Sequence, residues 1–303
     1  MKRVILLSVL FFSMFLSANA QVYSKAAGQN IIYESKKDVE TGDYIIDEET
    51  GSYVQTEVQS DTYGNAQGNQ YDLAVDGAFD GETIAVIQLY TFDFSMPQEA
   101  LKEKGFSVYR WIGNPPSVEE LEESLKKSCQ LWIISDSYRK LTDEHIAIIK
   151  QYFDDGHGVY IWGDNEPFYA DANAVADALL GVNMHGNLMG DNTVGLMMGD
   201  LTNTAVTHSG LMPNHLITTG LQQVYEGITI ATVDANQTLT PLIYGSAGNL
   251  VAATYEQDGK RAILDGGFTR LYYKWDTAGT GRYVKNAAAW LVNYEKFGTE
   301  TKE

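Results

Sequence analysis

Three short stretches each set a carboxylate directly behind an apolar run: Tyr90-Thr91-Phe92-Asp93, Asp136-Ser137-Tyr138-Arg139 and Gly163-Asp164-Asn165-Glu166. A fourth, Thr269-Arg270-Leu271-Tyr272-Tyr273, adds a cation and two phenols. Carboxylates and hydroxyls brought to one place can coordinate Ca²⁺ through oxygen, act as an acid–base pair, or accept hydrogen bonds from sugar hydroxyls. Asp93, Asp136, Ser137, Asp164, Asn165, Glu166, Arg270 and Tyr272 are therefore the candidate ligand-binding residues. Asp136, Asp164 and Glu166 are the candidate Ca²⁺ ligands among them. A plainer role stays open for the same side chains: Asp164 and Asn165 capping the helix that follows, and Asp136 pairing with Arg139.

Other reactive residue types point elsewhere. The histidines are His145, His157, His185, His208 and His215, and no two are spaced to make a zinc pair on one helix. His145, in a helix, and His157, in a tight turn, read as surface residues, and His215 as a packing or capping residue. The single Cys129 excludes an intrachain disulfide and reads as a small, inert, buried thiol ahead of a strand. Asp76, Asp80 and Glu82 in "DGAFDGE" do not match the twelve-residue calcium loop, and "GTGRY" at 279–283 lacks the Lys-Ser/Thr of a phosphate loop. Aromatic residues make up 12% of the chain and 19 of them are Tyr, a composition that suits a glycan-facing surface.

The elements that must position these residues follow from the texture of the chain. Lys2 and Arg3, the run "VILLSVLFFSMFL" and the small residues "SANA" form the pattern of a secretory signal peptide over residues 1–20. The run has 13 residues, against the roughly 20 that span a bilayer. The expected product starts at Gln21 and is exported, to the periplasm or outside the cell, with no stable membrane insertion. Its charge moves from −19 to −21 once Lys2 and Arg3 are removed, which repels phosphate backbones and anionic lipid.

Residues 21–78 are polar and lack a long apolar stripe, so they read as an extended arm, with "DYIIDEETGSYVQTEV" as a hairpin that docks through its alternating Tyr and Ile positions. From residue 79 to 297 the texture is strand, helix, strand. "TIAVIQLY", "FSVYRWI", "CQLWIISD" and "GVYIWGDN" are strands. "PQEALKEKG", "SVEELEESLKKS", "TDEHIAIIKQYFDDG" and "ADANAVADALLG" are helices, with Ser117 and Glu120 as a capping box and Thr142 as an N-cap. Such alternation implies right-handed crossovers and a doubly wound, mainly parallel sheet. The Gly- and Met-rich "HGNLMGDNTVGLMMGD" reads as a loop insertion, "YEGITIATV", "LTPLIYGS" and "LVAATYEQDGKRAILDGGF" as short strands, and "GTGRYVKNAAAWLVNYEKF" as a closing helix before a polar tail at 298–303.

The block "LWIISDSYRKLTDEHIAIIKQYFDDGHGVYIWGDN" resembles the class I glutamine amidotransferase-like fold, in particular its relatives of the trehalose-utilisation and β-galactosidase-trimerisation kind. "NHLITTGLQQVYEGITI" is similar to their His-Pro-Ile-Thr-x-Gly-Leu segment, with Leu216 at the usual proline, and "GKRAILDGGFTRLYYKW" to their closing strand and turn. The resemblance covers roughly residues 82–294 and implies a flavodoxin-like α/β fold. Its amidotransferase members carry a catalytic Cys at the turn after the central strand; here that turn is Gly163-Asp164-Asn165-Glu166. The expectation is an exported binding or interaction module for a glycan, a cation or a protein partner, with no nucleic acid and no cofactor other than Ca²⁺. A glycan-directed hydrolase using Asp164 and Glu166 is the alternative.

Overall fold

The computed structural model describes residues 32–36, 45–197, 209–213, 215–275 and 278–293. The signal peptide, the first residues of the arm, His208 and the polar tail lie outside the described residues. The arm holds β1 (Ile32–Ser35) and β2 (Gln55–Val58), paired antiparallel. The main domain follows as β3 (Thr83–Gln88), α1 (Ser95–Glu103), β4 (Ser107–Ile112), α2 (Val118–Leu125), β5 (Gln130–Ile134), α3 (Asp143–Asp154), β6 (Gly158–Trp162) and α4 (Ala170–Leu180). Then come β7 (Met184–Met189), β8 (Thr193–Gly195), β9 (Gly210–Leu211), β10 (Gln223–Tyr225), β11 (Thr229–Val233), β12 (Leu239–Tyr244), β13 (Leu250–Gln257), β14 (Lys260–Asp265) and α5 (Thr280–Leu291).

The eight-stranded sheet runs β4-β3-β5-β6-β14-β13-β12-β9. Its first five strands are parallel, and in chain order they read 2-1-3-4-5, the flavodoxin-like arrangement. β13, β12 and β9 extend it antiparallel. The β3–β4 crossover runs opposite to those that lead to β5 and β6, so right-handedness sends α1 to one face and α2, α3 and α4 to the other.

Side-chain alternation divides the core accordingly. Ile84, Val86, Trp132, Ile134, Tyr160 and Trp162 pack with α1 and α5, whereas Ala85, Ile87, Leu131, Ile133, Val159 and Ile161 pack under α2, α3 and α4. β5 and β6 are buried along their whole length, which is why they read as unbroken apolar runs. Gly158 opens β6 because a Cβ there would meet the Leu291 carbonyl of α5 at 2.2 Å.

Several expectations need correction. "HGNLMGDN" is a strand rather than a loop: β7 pairs with β11, and β8 with β10. Ser117 does cap α2, but the Glu120 carboxylate turns to Trp111 Nε1 at 2.8 Å instead of closing a box. His145 is buried, not superficial; it closes the capping box of α3 with Thr142, and its Nε2 meets the Pro116 carbonyl at 2.9 Å. The hairpin turn falls at Asp47–Gly51 as expected, yet Ile46 and Tyr53 are each 54% exposed. The arm docks through residues 58–74 instead, where Asn65 accepts the amides of Gln222 and Gln223, and Asp72 pairs with Lys104, Arg282 and Lys285.

Candidate functional site

The carboxyl ends of β3, β5, β6 and β14 meet on one edge of the sheet, the place where open α/β sheets gather ligands. β3 is the strand at which crossovers reverse direction, and it continues into Tyr90 and Phe92. The turn after β6 contributes Phe168, and the turn after β14 contributes Phe268 and Tyr272. Tyr90 lies 5.3 Å from Phe168 and 5.2 Å from Phe268, and Phe92 lies 4.5 Å from Tyr272, centroid to centroid. Phe268 is buried beneath, while Tyr90, Phe92, Phe168 and Tyr272 are half-buried. Partly buried aromatic rings thus cluster at this edge.

The predicted polar residues have other partners. Asp164 is 1% exposed: Oδ2 accepts from the Thr269 amide at 2.7 Å and the Thr269 hydroxyl at 2.5 Å, and Oδ1 from the Asn165 amide at 2.8 Å. Burial pushes its pKa up to about 7, with the Thr269 and Asn165 hydrogen bonds pulling the other way. It does not cap the next helix. The N-terminus of α4 is capped from β5, where the Ser135 hydroxyl accepts from Asp171 N at 2.9 Å and Ala172 N at 3.2 Å.

Asn165 accepts from the Thr229 hydroxyl at 2.8 Å, tying the turn to β11, and Glu166 is exposed, its amide donating to the Gly186 carbonyl of β7 at 2.9 Å. Asp136 pairs with Lys140 at 2.6 Å and not with Arg139, which reaches Asp143 instead. Partial burial works against the Asp136 charge, but Lys140 and the Ser137 amide outweigh it and hold the carboxyl below its ordinary range. Lys140 also donates to the carbonyls of Leu89 and Gly113, stitching the ends of β3, β4 and β5 together. Asp93 is exposed and accepts the Ser95 amide at 3.0 Å at the start of α1, a bond that lowers its pKa.

Arg270 is fully buried. It pairs with Asp265 at 3.2 Å, donates to the Glu226 carbonyl at 2.8 Å and lies over the Tyr283 ring. Asp265 also accepts from Tyr283 at 2.8 Å, so this pair braces the turn after β14 from below. Gly267 leaves room for it: a Cβ would meet Arg270 Nη2 and the Glu226 carbonyl at 2.7 Å.

Of the eight predicted residues, the structure brings Asp164, Arg270 and Tyr272 together through Thr269. Among the described residues, no group of three or more His, Cys, Asp or Glu is placed to hold a metal ion. The Asp136 and Asp164 oxygens accept from amides, a hydroxyl and an ammonium group. Tyr90, Phe92, Phe168 and Phe268 are not among the eight candidates, although Tyr90 and Phe92 stand directly ahead of Asp93 in the sequence. The Cys129 thiol bonds the Thr83 carbonyl, and burial pushes it up to about 12. His215, its pKa lowered by burial, accepts the Ile217 amide at 3.1 Å and packs on Trp290, the expected capping role.

No family model matches the sequence, and no curated protein is similar to it. Among solved structures, the chain is similar to a protein described as a GMP synthase subunit from Thermoplasma acidophilum (10% identity, TM-score 0.47, 72% of this chain and 98% of that one). It is also similar to a ThuA-like protein from Parabacteroides merdae (13% identity, TM-score 0.44, 70% and 90%). A third is the exo-β-1,4-mannosidase Op5Man5 from an Opitutaceae bacterium (9% identity, TM-score 0.39), of which the chain covers 36%. The strand order, not these loose superpositions, defines the architecture: an α/β protein with a mainly parallel, doubly wound sheet.

Proposed function

We propose that the chain is an exported, non-catalytic binding module, a relative of the class I glutamine amidotransferase-like proteins, and that it holds a glycan on the aromatic edge formed by Tyr90, Phe92, Phe168 and Tyr272. The observation that carries this reading is the contrast at one edge of the sheet: four half-buried rings pack together there, while the turn carboxylate Asp164 is 1% exposed with both oxygens already accepting hydrogen bonds. Sugar rings pair apolar C–H faces with hydroxyl rims, and aromatic faces with a few polar groups at the margin suit that chemistry. Asp93, Ser137 and Glu166 supply such a margin. The formal charge, −19 for the full sequence and more negative once Lys2 and Arg3 are removed, favours neutral over anionic glycans.

Electrophoresis through gels containing laminarin, xylan, galactomannan or levan tests the reading. Wild type is retarded by at least one neutral polysaccharide, and Phe92→Ala or Tyr272→Ala weakens that interaction about tenfold, roughly 1.4 kcal/mol. Retardation by none, or variants that bind like wild type, contradicts it.

A further inference from the structure

The rings at the aromatic edge come from three separate turns, and one side chain ties two of those turns together. Through Oδ2, Asp164 accepts both the amide and the hydroxyl of Thr269, at 2.7 and 2.5 Å, while its own amide donates to the Phe168 carbonyl at 3.1 Å. The Thr269 carbonyl in turn accepts the amides of Tyr272 at 3.2 Å and Tyr273 at 3.0 Å, and the Phe268 amide donates to the Gly163 carbonyl at 3.0 Å. Tyr272 is thus tied through Thr269 to the Asp164 carboxylate, while Phe168 and Phe268 are held by backbone bonds to Asp164 and Gly163 beside it. Tyr90 and Phe92 arrive independently from β3 and pack against them.

Burial makes a carboxylate expensive here, and an apolar side chain of similar volume would relieve that cost. It would also leave the Thr269 amide and hydroxyl and the Asn165 amide without their acceptor, and only an acceptor with two oxygens can hold Thr269 and Asn165 at once. From this arrangement we infer that Asp164 is a positioning residue for ligand binding, which acts through Thr269 to fix Tyr272 against Phe92 without touching the ligand. The inference rests on the aromatic edge being the ligand surface.

Two readouts on the full exported chain test it: near-ultraviolet circular dichroism, which reports the arrangement of the coupled rings with no ligand present, and retardation in the polysaccharide gel that slows wild type. Thr269→Val removes the hydroxyl while keeping the shape. It should alter the aromatic dichroism and weaken binding about tenfold, with far-ultraviolet dichroism unchanged. Thr269→Ser should restore both. Asp164→Asn combined with Thr269→Val should bind no worse than the weaker single variant, because both act through one contact. Thr269→Val that keeps wild-type dichroism and wild-type retardation overturns the positioning role while leaving the binding surface intact. If no polysaccharide retards wild type, the ligand reading fails, and the positioning role for binding with it.

Discussion

Asp164 keeps an ionisable group in a place that disfavours its charge. Its folded pKa, about 7, lies above the ordinary value of 3.8 that it takes in the unfolded chain. Between these values the folded state binds more protons than the unfolded one, so its contribution to stability is fully present below about 4 and is lost as pH rises through about 7. The upper bound is ~4 kcal/mol at 1.36 kcal/mol per unit. Asp171, also raised by burial, works in the same sense, while Asp72 and Asp136, both lowered, work in the opposite sense, so the total slope is not diagnostic. The difference between wild type and Asp164→Asn is. Denaturant unfolding at pH 5 and pH 8 should show wild type losing more stability over that interval than the Asn variant, by one to a few kcal/mol.

At the scale of elements, the start of α4 illustrates what sequence could and could not reveal. Its N-terminal amides are satisfied across the fold by Ser135, and the Asp171 carboxylate in turn accepts the amides of Lys140 and Leu141 at 2.8 Å, a reciprocal cap built from two elements. Ser135→Ala leaves two buried amides without an acceptor and should cost about 1–2 kcal/mol in denaturant unfolding with no change in secondary-structure content. Local rules placed the four helices from 95 to 180 and β3 to β6, because each carries its own period, cap or stop: Ser117 and Thr142 as N-caps, Gly105 and Gly156 with positive φ after α1 and α3. They failed at β7, whose Gly- and Met-rich sequence has little strand character and whose identity comes from pairing with β11 some 40 residues later. They also failed at the turns, where Asp after a strand reads as a cap for the nearest helix. The partner of Asp164 is Thr269, 105 positions away.

For the whole molecule, the arm and the domain are joined at a charged knot. Asp72, its side chain fully buried, lies within 2.9 Å of Lys104, 2.8 Å of Lys285 and 2.6 Å of Arg282, and Arg282 also donates to the carbonyls of Ala66, Gly68 and Gly220. These contacts connect the arm to both helices of one face, α1 and α5. Burial opposes the Asp72 charge, but the three cations overcome it and lower its pKa. Asp72→Ala would strand buried cations and should cost about 3–5 kcal/mol. In limited proteolysis the wild-type chain should be cut around the exposed hairpin at residues 45–53 and spared at 60–78, and the variant should lose that protection.

The proposed function reduces to one claim, that this molecule binds a glycan and does not cleave it. Calorimetric titration with the oligosaccharide of whichever polysaccharide retards wild type, followed by a reducing-end assay on the same sample, tests that claim most directly. The account predicts saturable heat, an intact oligosaccharide and loss of the heat in Phe92→Ala. New reducing ends that vanish in Asp164→Asn or Glu166→Gln would contradict it and make the turn after β6 a catalytic one.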